Sequence, residues 1–157
     1  MLRTWFIGAA FALAACGGSS PTHFRANLSG ANEVPSVISD GGGTADYTLD
    51  GGTVTYTVTF SGLTSNATMA HIHVGPAQVN GGITVPFSQV PHATSGTFSG
   101  TFTAANVAAA STTDGGISVD AGDFEGLLTL MRAGNTYTNV HTQQNPGGEI
   151  RGQNQPQ

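Results

Sequence analysis

The chain contains no lysine. Its 157 residues carry four arginines against nine aspartates and glutamates, giving a net charge of −5 with only 8% of residues charged. A nucleic-acid surface needs a basic stripe and a polybasic membrane patch needs a basic cluster, so both are excluded. Cysteine is nearly as scarce: Cys16 stands alone and no intramolecular disulfide can form. The one long apolar run, Trp5 to Ala15, is too short to cross a bilayer as a helix. No G-x-S-x-G segment occurs, so a nucleophile elbow is absent. What is abundant is glycine, 23 residues, set between stretches dense in threonine and valine, and hydrophobic residues make up 38% of the chain. That is the composition of an ordered all-β protein with many tight turns. The length fits one domain able to bury roughly two thirds of its surface.

The N-terminus has the layout of a secretory signal, with Arg3, the apolar run and small residues after it. Leu13-Ala14-Ala15-Cys16 resembles the lipobox of bacterial lipoproteins, in which the cysteine is acylated and becomes the mature N-terminus. The resemblance implies a signal peptide over residues 1–15, lipidation of Cys16 and a membrane as partner through that lipid. In such precursors a glycine after the cysteine, here Gly17, accompanies sorting to the outer membrane of a two-membrane cell. Residues 16–21 read as a flexible polar tether, 22–153 as the domain and 154–157 as a tail.

Within the domain, alternation of period two predicts strands at Thr22–Leu28, Gly43–Leu49, Gly52–Phe60, around His71, Ile83–Phe87, Gly96–Thr103, Tyr137–Thr142 and Glu149–Gln153. Asp50-Gly51-Gly52 is the clearest hairpin turn. Ala104 to Ser111 fits either a loop or one helical turn. Phe124, Leu127, Leu128 and Met131 follow helical spacing instead, with Asp123 placed to cap and Gly134 to terminate. Seven or eight short antiparallel strands and one short helix near the C-terminal end point to a β-sandwich or barrel.

Two polar sets stand out. In Met69-Ala70-His71-Ile72-His73-Val74, His71 and His73 share a strand face, roughly 6.5–7 Å apart, while Ile72 faces the core. His141 has the same setting, with Tyr137 and Asn139 on its face. If the two strands pair, three imidazoles converge on an outer face or at a sheet end. Neutral imidazoles bind copper and zinc well. The alternative is structural: histidines hydrogen-bonded to Asn139, to backbone carbonyls and to one another. Protonation would compete with a metal below about pH 6.5. His23 and His92 lack such context and should be solvated. The second set is Glu33, Glu149 and Arg151. Glu149 and Arg151 should share a face, and an ion pair from Glu33 to Arg151 would close the first and last strands. Glu33 or Glu149 as general base for a metal-bound water is a third reading.

Four segments together carry a likeness: Phe24 to Pro35, Ala70 to Gly75, Asn135 to Thr142 and Asn145 to Gln153. In this order they resemble the chordin-type (CHRD) domain, over about Thr22 to Gln153. The resemblance implies an immunoglobulin-like β-sandwich, often secreted or lipid-anchored in bacteria. It carries no catalytic residues, and in chordin itself growth-factor contacts are generally assigned to other modules. Copper-zinc superoxide dismutase, another sandwich, also draws two copper ligands from an HxH strand. Here the rest of that metal motif is missing, so superoxide chemistry is unsupported. The expectation is therefore a lipid-anchored envelope module that binds or supports an undefined partner. The rivals are a copper or zinc protein using His71, His73 and His141, and a small metalloenzyme. If Leu13 to Cys16 is a lipobox, Cys16→Ser should move the protein from the membrane to the soluble fraction, because several acyl chains anchor firmly where none cannot. Wild-type protein found wholly soluble, with an unmodified Cys16, would contradict the anchor.

Overall fold

The computed structural model describes residues 20–157. The expected signal peptide, Cys16 and most of the tether lie outside the described residues. Strand β1 (His23–Ser29) turns Phe24, Ala26 and Leu28 inward and leaves His23, Arg25 and Asn27 exposed. β2 (Gly42–Asp50) runs into β3 (Thr53–Ser61) through Gly51, whose φ of +55° is one that glycine adopts without strain. β3 shows strict alternation, with Val54, Tyr56, Val58 and Phe60 buried and Thr55, Thr57 and Thr59 exposed. β4 (Ala67–Val74), β5 (Ile83–Pro86) and β6 (Gly96–Phe102) follow. A single 3-10 turn at Ala104–Asn106 resolves the ambiguous alanine stretch, which then joins β7 (Ala110–Ser111) to β8 (Ser118–Val119) in a small separate ladder. Helix α1 (Phe124–Arg132), β9 (Thr136–Thr142), β10 (Ile150–Gln153) and β11 (Gln155–Pro156) complete the chain.

All strand pairs are antiparallel, in the order β5-β4-β9-β10-β1-β2-β3-β6, with β11 also beside β1. The sheet curls until its two halves face each other, which produces the all-β sandwich expected from the strand pattern. The Tyr47 hydroxyl reaches Thr138 on β9 across the interior, and the Tyr56 ring stacks on Phe87 at 4.4 Å. α1 matches its sequence signals. The Asp123 carboxylate accepts a hydrogen bond from the Gly126 amide at 2.8 Å, and Gly134, at φ +68°, ends the helix. A Cβ at Gly126 would run into that carboxylate, which accounts for a residue that otherwise weakens a helix by about 1 kcal/mol. Phe124, Leu127, Leu128 and Met131 are buried, with Phe124 edge-on to Phe102.

The expected tail is not loose. Asn154 is fully buried, accepting from the Thr138 hydroxyl at 2.7 Å and donating to the Thr136 hydroxyl at 3.0 Å. Gln155 and Pro156 then pair with Arg25 and Phe24 of β1. A short polar segment shows no periodicity, so its role is visible only once the buried threonines it satisfies are in place. Leu128→Ala should destabilise the protein by about 2–5 kcal/mol by opening a cavity between α1 and the sheet, while Ser111→Ala, at an exposed position, should do little. Chemical denaturation of both variants checks this, and equally small effects would show that the helix is not packed as described.

Candidate metal centre

β4 and β9 are neighbours, in the register Met69 to His141, His71 to Asn139 and His73 to Tyr137. Ala70, Ile72, Val74 and Val140 enter the core, so His71, His73 and His141 emerge together on the other face of the sheet. Their ring centroids lie 4.9 Å (His71–His141), 5.5 Å (His71–His73) and 6.0 Å (His73–His141) apart. One ring nitrogen from each can be chosen so that all three lie within 4.8 Å of one another. The sequence expectation of convergence is met, but the rings are not solvated. They are only 6–8% exposed, because the segments after β4 and β9 fold back over this face. His23 and His92 are exposed and take no part.

The covering segments set the tautomers. A carbonyl can only accept, so His73 Nδ1–H donates to the Gly81 carbonyl (3.0 Å) and His141 Nδ1–H to the Pro146 carbonyl (2.9 Å). Each therefore carries its lone pair on Nε2. His141 Nε2 receives a bond from His71 Nδ1–H at 3.1 Å, which leaves the His71 lone pair at its own Nε2. His73 Nε2 is buried and has no partner. A metal-ligating histidine almost always donates its other N–H to a carbonyl or carboxylate in this way. A tetrahedral ion with bonds near 2.1 Å needs ligand nitrogens roughly 3.4 Å apart, so the rings would have to draw together and the His71–His141 hydrogen bond give way to coordination. Burial, together with the neighbouring His141 and His73 rings, drives His71 down to about 4. Burial lowers His73 to about 4 against the pull of the Gly81 carbonyl, and lowers His141 against that of Pro146. His71 and His73 therefore stay neutral well below pH 6.5, where the sequence alone placed their protonation, and His141 is lowered in the same direction.

Around the rings the second polar set is rearranged. Arg151 makes no direct ion pair with Glu33; among the described residues the direct ion pair is Arg25–Asp46, at 3.2 Å on the surface. The loop after β4 claims the guanidinium instead, through Asn80 Oδ1 (3.0 Å), the Pro76 carbonyl (3.0 Å) and the Val79 carbonyl (2.8 Å). Its carbon lies 3.4 Å from the centroid of the Tyr137 ring, which in turn stacks on His73 at 4.8 Å with planes 6° apart. Glu33 accepts from Asn139 Nδ2 at 2.7 Å, while Asn139 Oδ1 is buried without a partner. Gly148 makes room for this pair, since a Cβ there would lie 2.7 Å from the Glu33 carboxylate. Burial pushes Glu33 up to about 7, against the downward pull of Arg151 and of Asn139. Glu149 does not share a face with Arg151. It precedes β10, and its fully buried carboxylate accepts from Ser39, Thr142, Asn145 and both the amide and hydroxyl of Thr64. Burial alone would raise it, but those donors outweigh burial and hold it at about 2. A carboxylate so committed is no general base. Glu33, by contrast, lines an open cleft of about 270 Å³ with Val34, Pro35, Pro146 and Gly148. The Gly81 and Pro146 carbonyls and the Tyr137–Arg151 stack carry no sequence signal of their own.

A family model for the CHRD domain matches residues 24–154. The chain belongs to the CHRD domain family. No curated protein and no solved structure matches it. The match spans both histidine strands and the buried Asn154, so the centre is part of the CHRD fold of this chain rather than an appendage to it. It supports a structural or binding module and assigns no role to the imidazoles.

The shifted groups act on stability with opposite signs. For a histidine lowered from 6.5 to about 4, the unfolded chain binds more protons across that window, so acidification destabilises the fold. For Glu33, raised from 4.5 to about 7, the contribution is fully present below 4.5 and lost as pH rises through 7. Two histidines shifted this far outweigh one glutamate shifted by a similar amount, so metal-free protein should lose melting temperature as pH drops from 6.5 to 4. Glu33→Gln should be more stable than wild type at pH 8, by up to about 3 kcal/mol, and lose that advantage by pH 4.5. A constant difference between the two across this range would refute the assignment.

Proposed function

We propose that this CHRD protein is an envelope module, tethered by a lipid on Cys16 and placed at the outer membrane, that binds a transition-metal ion through His71, His73 and His141. The observation that carries the metal reading is the fixed tautomer of His73. Its Nδ1–H is held by the Gly81 carbonyl, which leaves a lone pair on Nε2, and that atom is buried without a partner in a ring flanked by His71 and His141. A purely structural histidine at that depth would be expected to use both nitrogens, since an unpaired buried polar atom costs about 1–3 kcal/mol. Copper(II) and zinc both suit three neutral imidazoles, with copper the tighter by the usual order of affinities. The metalloenzyme reading is weaker. Of the two carboxylates considered as bases, Glu149 is saturated with donors, and Glu33 is held by Asn139.

Protein purified without chelator or histidine tag should carry, or take up on titration, one copper or zinc ion per chain. His71→Ala, His73→Ala and His141→Ala should each abolish uptake, and His23→Ala and His92→Ala should leave it intact. If calorimetry shows no uptake by wild type while the first three changes lower the melting temperature, the histidines are structural and the module binds some other ligand.

A further inference from the structure

The face that carries the three imidazoles also carries a sulfur atom. Met69 is the register partner of His141 and precedes His71 by two residues, so it belongs to the same face of β4. Directly opposed residues on antiparallel strands bring their Cβ atoms to about 4.5–5.5 Å. The methionine chain, with three rotatable bonds, can swing its thioether over the neighbouring ring. Around it His71, His73, Asn139 and His141 are all buried, yet Met69 is 47% exposed. It is not packed into the core, so turning toward the cluster would give up no interior contact.

We infer that the Met69 thioether is the fourth ligand of the three-histidine centre and makes it a copper(I) site. This rests on the metal reading above and deepens it. The other groups on the face are committed or ill-suited. The Tyr137 hydroxyl takes part in hydrogen bonding with Gly81, Asn139 Nδ2 serves Glu33, and an amide oxygen such as Asn139 Oδ1 is a hard donor that suits magnesium or calcium better than late transition metals. Residues 20–157 contain two sulfur atoms, and the other, in Met131, is fully buried on the inner face of α1. Thioethers are soft ligands that select copper(I). Charge points the same way. Three imidazoles and a thioether contribute no negative charge, and the Arg151 cation lies against Tyr137, which stacks on His73. In such a pocket a monovalent ion leaves half the uncompensated charge of a divalent one, and burying charge is expensive.

The test uses the full chain, copper(I) supplied anaerobically with a reductant and read by competition against a chromophoric copper(I) chelator, and zinc(II) read by calorimetry. Met69→Leu keeps the side-chain size and should leave melting temperature and zinc affinity unchanged. Copper(I) affinity should fall by at least the roughly tenfold that loss of even an outer-shell partner costs. X-ray absorption at the copper edge should show a sulfur scatterer beside nitrogen in wild type, and nitrogen alone in Met69→Leu. Unchanged copper(I) affinity with no sulfur scatterer, while His71→Ala still abolishes metal uptake, would overturn the role of Met69 and leave the three-histidine centre standing. Failure of the wild type to bind copper(I), copper(II) or zinc would overturn both.

Discussion

Every residue of β9, from Thr136 to Thr142, is buried, on both faces of the strand, and five of the seven are polar threonine, asparagine or histidine. Burying such groups is unfavourable unless each finds a partner. On the inward face the solution is a chain of hydroxyls. Tyr47 donates to Thr138, Thr138 donates to Asn154, Asn154 donates to Thr136, and Thr142 donates to Glu149. On the outward face the segments after β4 and β9 supply carbonyls to His73 and His141. Among the described residues three buried side-chain atoms stay unpaired, and two of them, His73 Nε2 and Asn139 Oδ1, lie on this outward face. Unmet hydrogen-bonding capacity is thus concentrated beside the imidazoles, the observation on which the proposed metal site rests.

The scarcity of charge makes the buried charges conspicuous, and each is neutralised differently. Arg151 is solvated by carbonyls, an amide and an aromatic face. Glu149 is held ionised by hydroxyl, amide and backbone donors. Glu33, with Asn139 as donor, is raised toward neutrality by burial. These same bonds tie the long connections down: Ser39 and Thr64 to Glu149, residues 76–80 to Arg151, and Glu33 across to β9. The loops that cover the imidazoles are thus fixed by the buried charges, and the tautomers of His73 and His141 are fixed by the loops. A metal ion would meet neutral rings, two of them oriented by the loops, and would exchange the His71–His141 hydrogen bond for coordination.

Local pattern was enough for the all-β class, the β2–β3 hairpin, helix α1 with its Asp123 cap, and the shared face of His71 and His73, because a period of two or of 3.6 is written in neighbouring residues. The four segments that resemble the CHRD domain likewise lie in the chain as read. Tertiary structure alone decided which strands are neighbours, and so that His141 meets His71. It decided that the rings are covered, that Arg151 turns to a loop rather than to Glu33, that Glu149 leaves the face of Arg151, and that residues 154–156 belong to the sheet. Each of these depends on which distant carbonyl or hydroxyl a buried polar group finds. Hydrogen-bond partners 70 to more than 100 residues away, such as His71 with His141 or Asn139 with Glu33, leave no periodic trace in sequence. The physical reason is that periodicity records only which face a side chain takes, whereas the partner on that face is chosen by the closing of the sheet.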